Sequence, residues 1–179
     1  MHEPYAQHGF GLSVGLVGVL ALAAGTDLRS NRIPNWVSVT GIGLGLGLRL
    51  LEGFVPFSSG ALGAGLAFLI SLPAFATGVL GGGDAKLLMA VGAFLGPRDF
   101  GYAALCIALA GGLLALAESA RRGVLRPTLA ICGALLVQWA TFGRRARSRQ
   151  VATAGSLAVP YALAIAAGTL AWWFLGGVS

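Results

Sequence analysis

GALGAGLAFLISLPAFATGVLGGGDAK, residues 60–86, runs for 24 residues without a charge and then meets Asp84 and Lys86 within three positions. About 20 apolar residues in a helix span the hydrocarbon core of a bilayer, and the run from Gly60 to Leu80 reaches that length. Pro73 inside it is an expected kink, tolerated where neighbouring helices satisfy the freed backbone groups. The same pattern of apolar run and polar connector extends along all 179 residues, of which 56% are hydrophobic and 10% charged. The mean hydropathy is +0.83. A soluble domain carries charge on roughly a quarter to a third of its surface residues. This chain cannot, so lipid is the solvent for much of its surface.

Outward from that stretch, a first apolar run covers about residues 9–26 and ends in TDLRSNRIPN. A second goes from Trp36 to Leu51, broken by Arg49 near its far end, where a long side chain is expected to snorkel to the interface. Glu52 to Ser59, with Pro56, reads as a short loop. After GGGDAK, the piece LLMAVGAFLG stops at Pro97-Arg98-Asp99 and suits a short or re-entrant helix. A fifth run covers about Phe100 to Ala117, and Arg121, Arg122 and Arg126 form a basic connector. Residues 127–142 are apolar with arginine on both flanks, which predicts an interfacial or re-entrant helix. The last run, about Ser156 to Leu175, ends in Trp172 and Trp173, aromatics suited to an interface. The expectation is one all-α membrane domain over 1–179, with about six transmembrane helices plus the interfacial or re-entrant one. Among 29 glycines, Gly41/Gly45, Gly43/Gly47 and Gly11/Gly15 form GxxxG spacings that let helices approach closely in lipid.

The chain has 12 basic and 6 acidic residues, a net charge of +6. The arginines sit in connectors, with no basic stripe among aromatics, so the excess fits the positive-inside rule and not nucleic-acid binding. Cys106 and Cys132 lie singly in apolar stretches, and His2 and His8 are too few for a metal site. The residues before the first run are not a basic signal-peptide start. Placing Arg29 and Arg32, Lys86, Arg121 to Arg126 and Arg144 to Arg149 on the cytoplasmic side puts the end of the first span and the end of the third on that face. Asp27 and Asp84 then lie at similar depth.

Four of the six acids have structural explanations: Glu3 in the N-terminal tail, Glu52 and Asp99 in outer loops, and Glu118 beside Arg121 and Arg122. Asp27 and Asp84 each terminate an apolar run, and a carboxylate at a membrane edge marks a site unless it is paired or solvated. Two carboxylates held together share a proton, so one can accept a proton from water while its partner polarises a peptide carbonyl. This chemistry needs no metal and no cofactor. Gly81, Gly82 and Gly83 break the helix and leave room for a peptide backbone, Pro34 forces an extended turn, and Asn35 is placed to cap the helix from Trp36. The bland alternative is a plain loop around GGGD, with Asp27 paired to Arg29 or Lys86. A proton- or cation-coupled transporter using the two acids is a second functional class, expected to hold them at mid-bilayer on discontinuous helices. A structural scaffold is a third.

DLRSNRIPN at 27–35 resembles the first aspartate motif of type IV prepilin peptidases, and GGGDAKLL at 81–88 resembles their Gly-x-Gly-Asp motif. VPYALAIAAG at 159–168 is similar to the last helix of short members linked to tight-adherence pili. The resemblance implies a membrane aspartyl endopeptidase of the bacterial inner membrane that removes the leader of prepilins or pseudopilins at the cytoplasmic face. Asp27 and Asp84 would be the catalytic acids and Gly81 and Gly83 the motif glycines, with Arg29 and Lys86 as motif neighbours. Long members carry an N-terminal four-cysteine zinc domain associated with N-methylation. This chain starts almost directly at its first span without those cysteines, so neither zinc nor methylation is expected.

Overall fold

A computed structural model describes residues 10–30, 33–76, 80–123 and 161–176. Six helices make up the described fold: α1 (Phe10–Ser30), α2 (Asn35–Glu52), α3 (Phe54–Ala76), α4 (Gly82–Leu95), α5 (Pro97–Arg121) and α6 (Tyr161–Gly176). Helices satisfy every backbone group within one segment, as lipid demands. By length and composition three of them, Gly11–Ser30, Phe54–Ala76 and Pro97–Arg121, suffice to cross a membrane. The other three fall short for identifiable reasons. α2 carries Asn35, Arg49 and Glu52 near its ends, and α4 and α6 have 14 and 16 residues. At about 1.5 Å per residue, α4 is roughly 21 Å long against a core of about 30 Å. The segment 127–142, Cys132, His2, His8 and Glu3 lie outside the described residues.

Helices α1, α2, α3, α5 and α6 touch in that order, and α6 returns to α1 to close a ring, while α4 touches all five. The shortest apolar run is therefore the hub. Leu87, Val91, Phe94 and Leu95 of α4 join Leu16 and Leu20 of α1, Phe100 and Ile107 of α5 and Ile165 of α6 in one core. The outer faces expose Leu51, Val55, Leu69, Leu109 and Leu113, as expected of side chains meeting lipid and not water.

Small residues set the spacing. A side chain at Gly41 would press on Val19 and Ala90, and one at Gly45 on Phe94 and Ala93, whereas Gly43 and Gly47 face open space. Of the two interleaved GxxxG spacings in α2, one packs a helix interface and the other does not. α3 and α4 cross backbone to backbone at Gly63 and Gly92, and Gly168 of α6 lies against the backbone of Ile107 in α5. Tyr102 and Trp172 stack across the same α5–α6 seam at 4.9 Å, so Trp172 is engaged by a neighbouring helix.

At the end away from Asp27 and Asp84 the connections are shorter than the sequence reading expects. The predicted loop over Glu52 to Ser59 is Gly53 alone, at φ 129°, and α3 starts at Phe54. Pro56 fits because the first turn of a helix needs no amide donor. Gly96, at φ 80°, is the only residue between α4 and α5, which puts Asp99 in the first turn of α5 and not in a loop. Arg49 does not snorkel. It is 7% exposed, and its Nε and Nη2 donate to the Phe94 carbonyl at 3.2 and 2.7 Å while Nη1 donates to Pro56 at 3.3 Å. The turn leaves helix-end carbonyls without intrahelical donors, and a guanidinium fork fills that need better than the interface would.

Candidate active site

The alternation of helix direction gathers six ends at the opposite pole: the C-termini of α1, α3 and α5 and the N-termini of α2, α4 and α6. Asp27 sits in the last turn of α1 and Asp84 in the first turn of α4. Arg29, Lys86, Arg121 and Arg122 belong to the same pole, while Arg49 and Arg98 belong to the other.

The two sequence motifs pack against each other. Lys86 Nζ donates to Asn35 Oδ1 at 3.0 Å, and Ser38 Oγ donates to the Gly83 carbonyl at 3.3 Å. Ile33 lies so close to Gly83 that an added Cβ would stand 3.1 Å from it. Two sequence expectations are corrected here. Gly82 and Gly83 do not break the helix but form the first turn of α4, where glycine is tolerated and the close packing requires it at 83. Asn35 does not cap α2: the N-cap is Pro34 in an extended conformation, and the Asn35 amide oxygen serves Lys86. Arg29 is exposed on the last turn of α1, and among the described residues no hydrogen bond or ion pair ties it to either carboxylate. Glu118 pairs with Arg122 at 2.6 Å, in line with the sequence reading.

Asp27 is only 6% exposed, and its Oδ2 accepts a hydrogen bond from the Ala162 amide at 3.1 Å, across 135 residues of chain. Asp84 is half-buried, and its Oδ2 accepts from the Gly81 amide at 3.3 Å. A Cβ at Gly81 would stand 2.8 Å from that oxygen, so the carboxyl folds back over a residue that must lack one. At Gly82 the nearest atom is 3.5 Å away, on Phe75. The G-x-G-D pattern thus has a steric origin, with Gly81 yielding to the acid, Gly83 to Ile33, and the middle position free.

Asp84 stands at the start of a helix too short to cross, outside the spanning helices. Burial, then the charge of Asp27, push its carboxyl up to about 6, against a smaller opposing pull from the Gly81 amide. The two acids therefore interact electrostatically, as a proton-sharing pair must. The charge of Asp84 also reaches the half-buried Tyr161. Ser38, Tyr161 and Ala162 were not singled out as site residues in the sequence. Tyr161 and Ala162 lie within the quoted VPYALAIAAG, but a backbone amide leaves no signature, and Ser38 is one small hydroxyl in an apolar run. Among the described residues no cluster of His, Cys, Asp or Glu could hold a metal ion.

No curated protein and no solved structure matches the chain. Residues 14–116, more than half of the chain and including both aspartates, match the type IV leader peptidase family. With both motifs inside the match and their aspartates at one pole of an all-helical membrane fold, the chain belongs to the type IV leader peptidase family.

Proposed function

We propose that the chain is an aspartic-type membrane endopeptidase that removes the leader of type IV prepilins or pseudopilins at the cytoplasmic face, with Asp27 and Asp84 as its catalytic acids. The observation that carries this reading is the mutual electrostatic influence of two acids borne by separate helices at one pole of the ring. The charged form of one takes a proton from water, and the protonated form of the other donates to the scissile carbonyl. Hydroxide attack on the carbonyl carbon gives a tetrahedral diol, and return of a proton to the amine nitrogen releases the leader.

The exposed edge at Gly81 and Gly82 leaves room for an extended peptide beside Asp84. Basic groups at this pole, including Arg29 and Lys86, favour the cytoplasmic side by the positive-inside rule. A transporter would instead place its acids mid-membrane on broken helices, whereas Asp27 and Asp84 occupy the end turns of continuous ones. The test is co-expression with a candidate prepilin. The wild-type chain is expected to convert it to the shorter mature form, and Asp27→Asn and Asp84→Asn each to leave it uncut while still inserting. An active single mutant would sink the assignment.

A further inference from the structure

The family match ends at residue 116, before α6, yet the first turn of α6 touches the site. Building on the peptidase reading, we propose that this turn divides the labour of the pair: the Ala162 amide keeps Asp27 charged as the acceptor of water's proton, and Asp84 carries the proton that polarises the scissile carbonyl.

Asp27 is nearly fully buried in the last turn of α1, where the unsatisfied carbonyls of its own helix make a negative field. Its charge needs a donor from elsewhere. The first-turn amides of α6 have no intrahelical acceptor, so the 3.1 Å bond from Ala162 takes nothing from that helix and brings its positive end to the carboxylate. The donor is rigidly held, because Ala162, Ala164 and Ile165 are fully buried and Gly168 is locked against Ile107. Asp84 has a longer bond, 3.3 Å, from the amide of its own N-cap residue. The positive end of α4 favours its charge as well, but two adjacent carboxylates cannot both ionise easily, and the shorter, more deeply buried contact is the one on Asp27.

The surrounding cations do not reverse this order. Lys86 on α4 is held by Asn35 of α2, Arg122 on α5 by Glu118, and Arg29 is exposed on α1. Tyr161 on α6 senses Asp84. The proton balance closes. Water gives one proton to Asp27 as its oxygen bonds to the carbonyl carbon, and Asp84 gives its proton to the carbonyl oxygen. When the C–N bond breaks, Asp27 returns its proton to the amine nitrogen, and Asp84 regains one from the diol.

The chain has three aspartates, at 27, 84 and 99, so carbon-13 labelling of the aspartate carboxyls gives a titration that Asp27→Asn and Asp84→Asn assign. In wild-type protein in detergent micelles, Asp27 is expected to ionise at lower pH than Asp84. Two variants remove the amide. Ala162→Pro uses the tolerance of a first helical turn for proline, and an ester at the 161–162 link, made by incorporating lactic acid at 162, keeps the side chain's shape should proline disturb folding. Either is expected to raise the Asp27 midpoint by a unit or more and to lower kcat about tenfold or more with KM nearly unchanged. Ala162→Gly, which keeps the amide, should preserve the order. An order of ionisation indifferent to the ester overturns the proposal, as does wild-type protein in which Asp84 ionises first. If the order is as stated but no prepilin is cut, the peptidase reading falls and the charge assignment stands; if prepilin is cut and the order ignores the ester, only the assignment falls.

Discussion

Gly81, Gly82 and Gly83 are identical residues in three different surroundings, and replacing each by alanine separates them. Gly81 has φ −71° and ψ 152°, a conformation open to any residue, so an effect of Gly81→Ala comes from its new methyl group and not from backbone strain. That methyl would lie 2.8 Å from Asp84 Oδ2, inside van der Waals contact, and the carboxyl has to swing away. The swing breaks the bond from the Gly81 amide, a charge-assisted contact of about 1.5–3 kcal/mol. Displacing a reacting group by about 1 Å can cost ~100-fold in rate. Gly81→Ala is therefore expected to slow cleavage by roughly 30- to 100-fold. Gly83→Ala meets Ile33 at 3.1 Å, which the 33–34 connection can relieve by a few tenths of an ångström, so a loss of about 3- to 10-fold is expected. Gly82→Ala meets only ordinary contact at 3.5 Å and replaces a glycine in a helical turn, a gain of about 0.5–1 kcal/mol. It should keep activity within about twofold and melt higher. The assay is the rate of mature-form appearance on a gel with a co-expressed prepilin, alongside thermal melting in detergent. Gly82→Ala as damaging as Gly81→Ala, or a fully active Gly81→Ala, would refute the steric account.

Asp84 binds its proton more tightly in the folded chain, near 6 against an ordinary 3.8, so its contribution to stability declines as pH rises through that window and is constant above it. Wild-type protein should lose melting temperature relative to Asp84→Asn between pH 4 and about 6.5, and parallel curves for the two would contradict this. Arg49→Met leaves the Phe94 and Pro56 carbonyls without their donor and should destabilise by about 2–5 kcal/mol, with Arg49→Lys intermediate, because an ammonium cannot fork. Since Arg49 is at the pole away from the acids, turnover per folded molecule should hold; a selective loss of kcat would count against it. Alanine at Gly41 or Gly45 should cost about 1–3 kcal/mol in melting experiments, and alanine at Gly43 or Gly47 little or nothing.

The acids were legible because charge is so scarce that two carboxylates ending apolar runs stood out, and because alternating basic connectors set their common side. The helical class followed from run length alone. Arg49 was not legible: a long cation near a span end can reach the interface or turn inward, and the choice depends on the carbonyl ends of α3 and α4, which meet only in three dimensions. Pro56 suggested a loop because proline breaks helices, yet in a first turn it breaks nothing. The triple glycine suggested a break for a similar reason, whereas the packing of Ile33 and the fold of Asp84 require glycine within or beside a helical turn. Ala162 contributes through its backbone, so no side-chain pattern could have announced its role 135 residues from Asp27.

The one-residue links at Gly53 and Gly96 make the two poles mechanically unequal. Each holds two helix ends within about two Cα steps, some 7–8 Å, and Arg49 ties both links together. At the pole of the aspartates the links are longer, four residues from 31 to 34 and five from 77 to 81. The α2–α3 and α4–α5 pairs therefore work like tongs riveted at the far pole. Small rotations about the rivets widen or narrow the gap beside Asp84 and leave the riveted turns where they are.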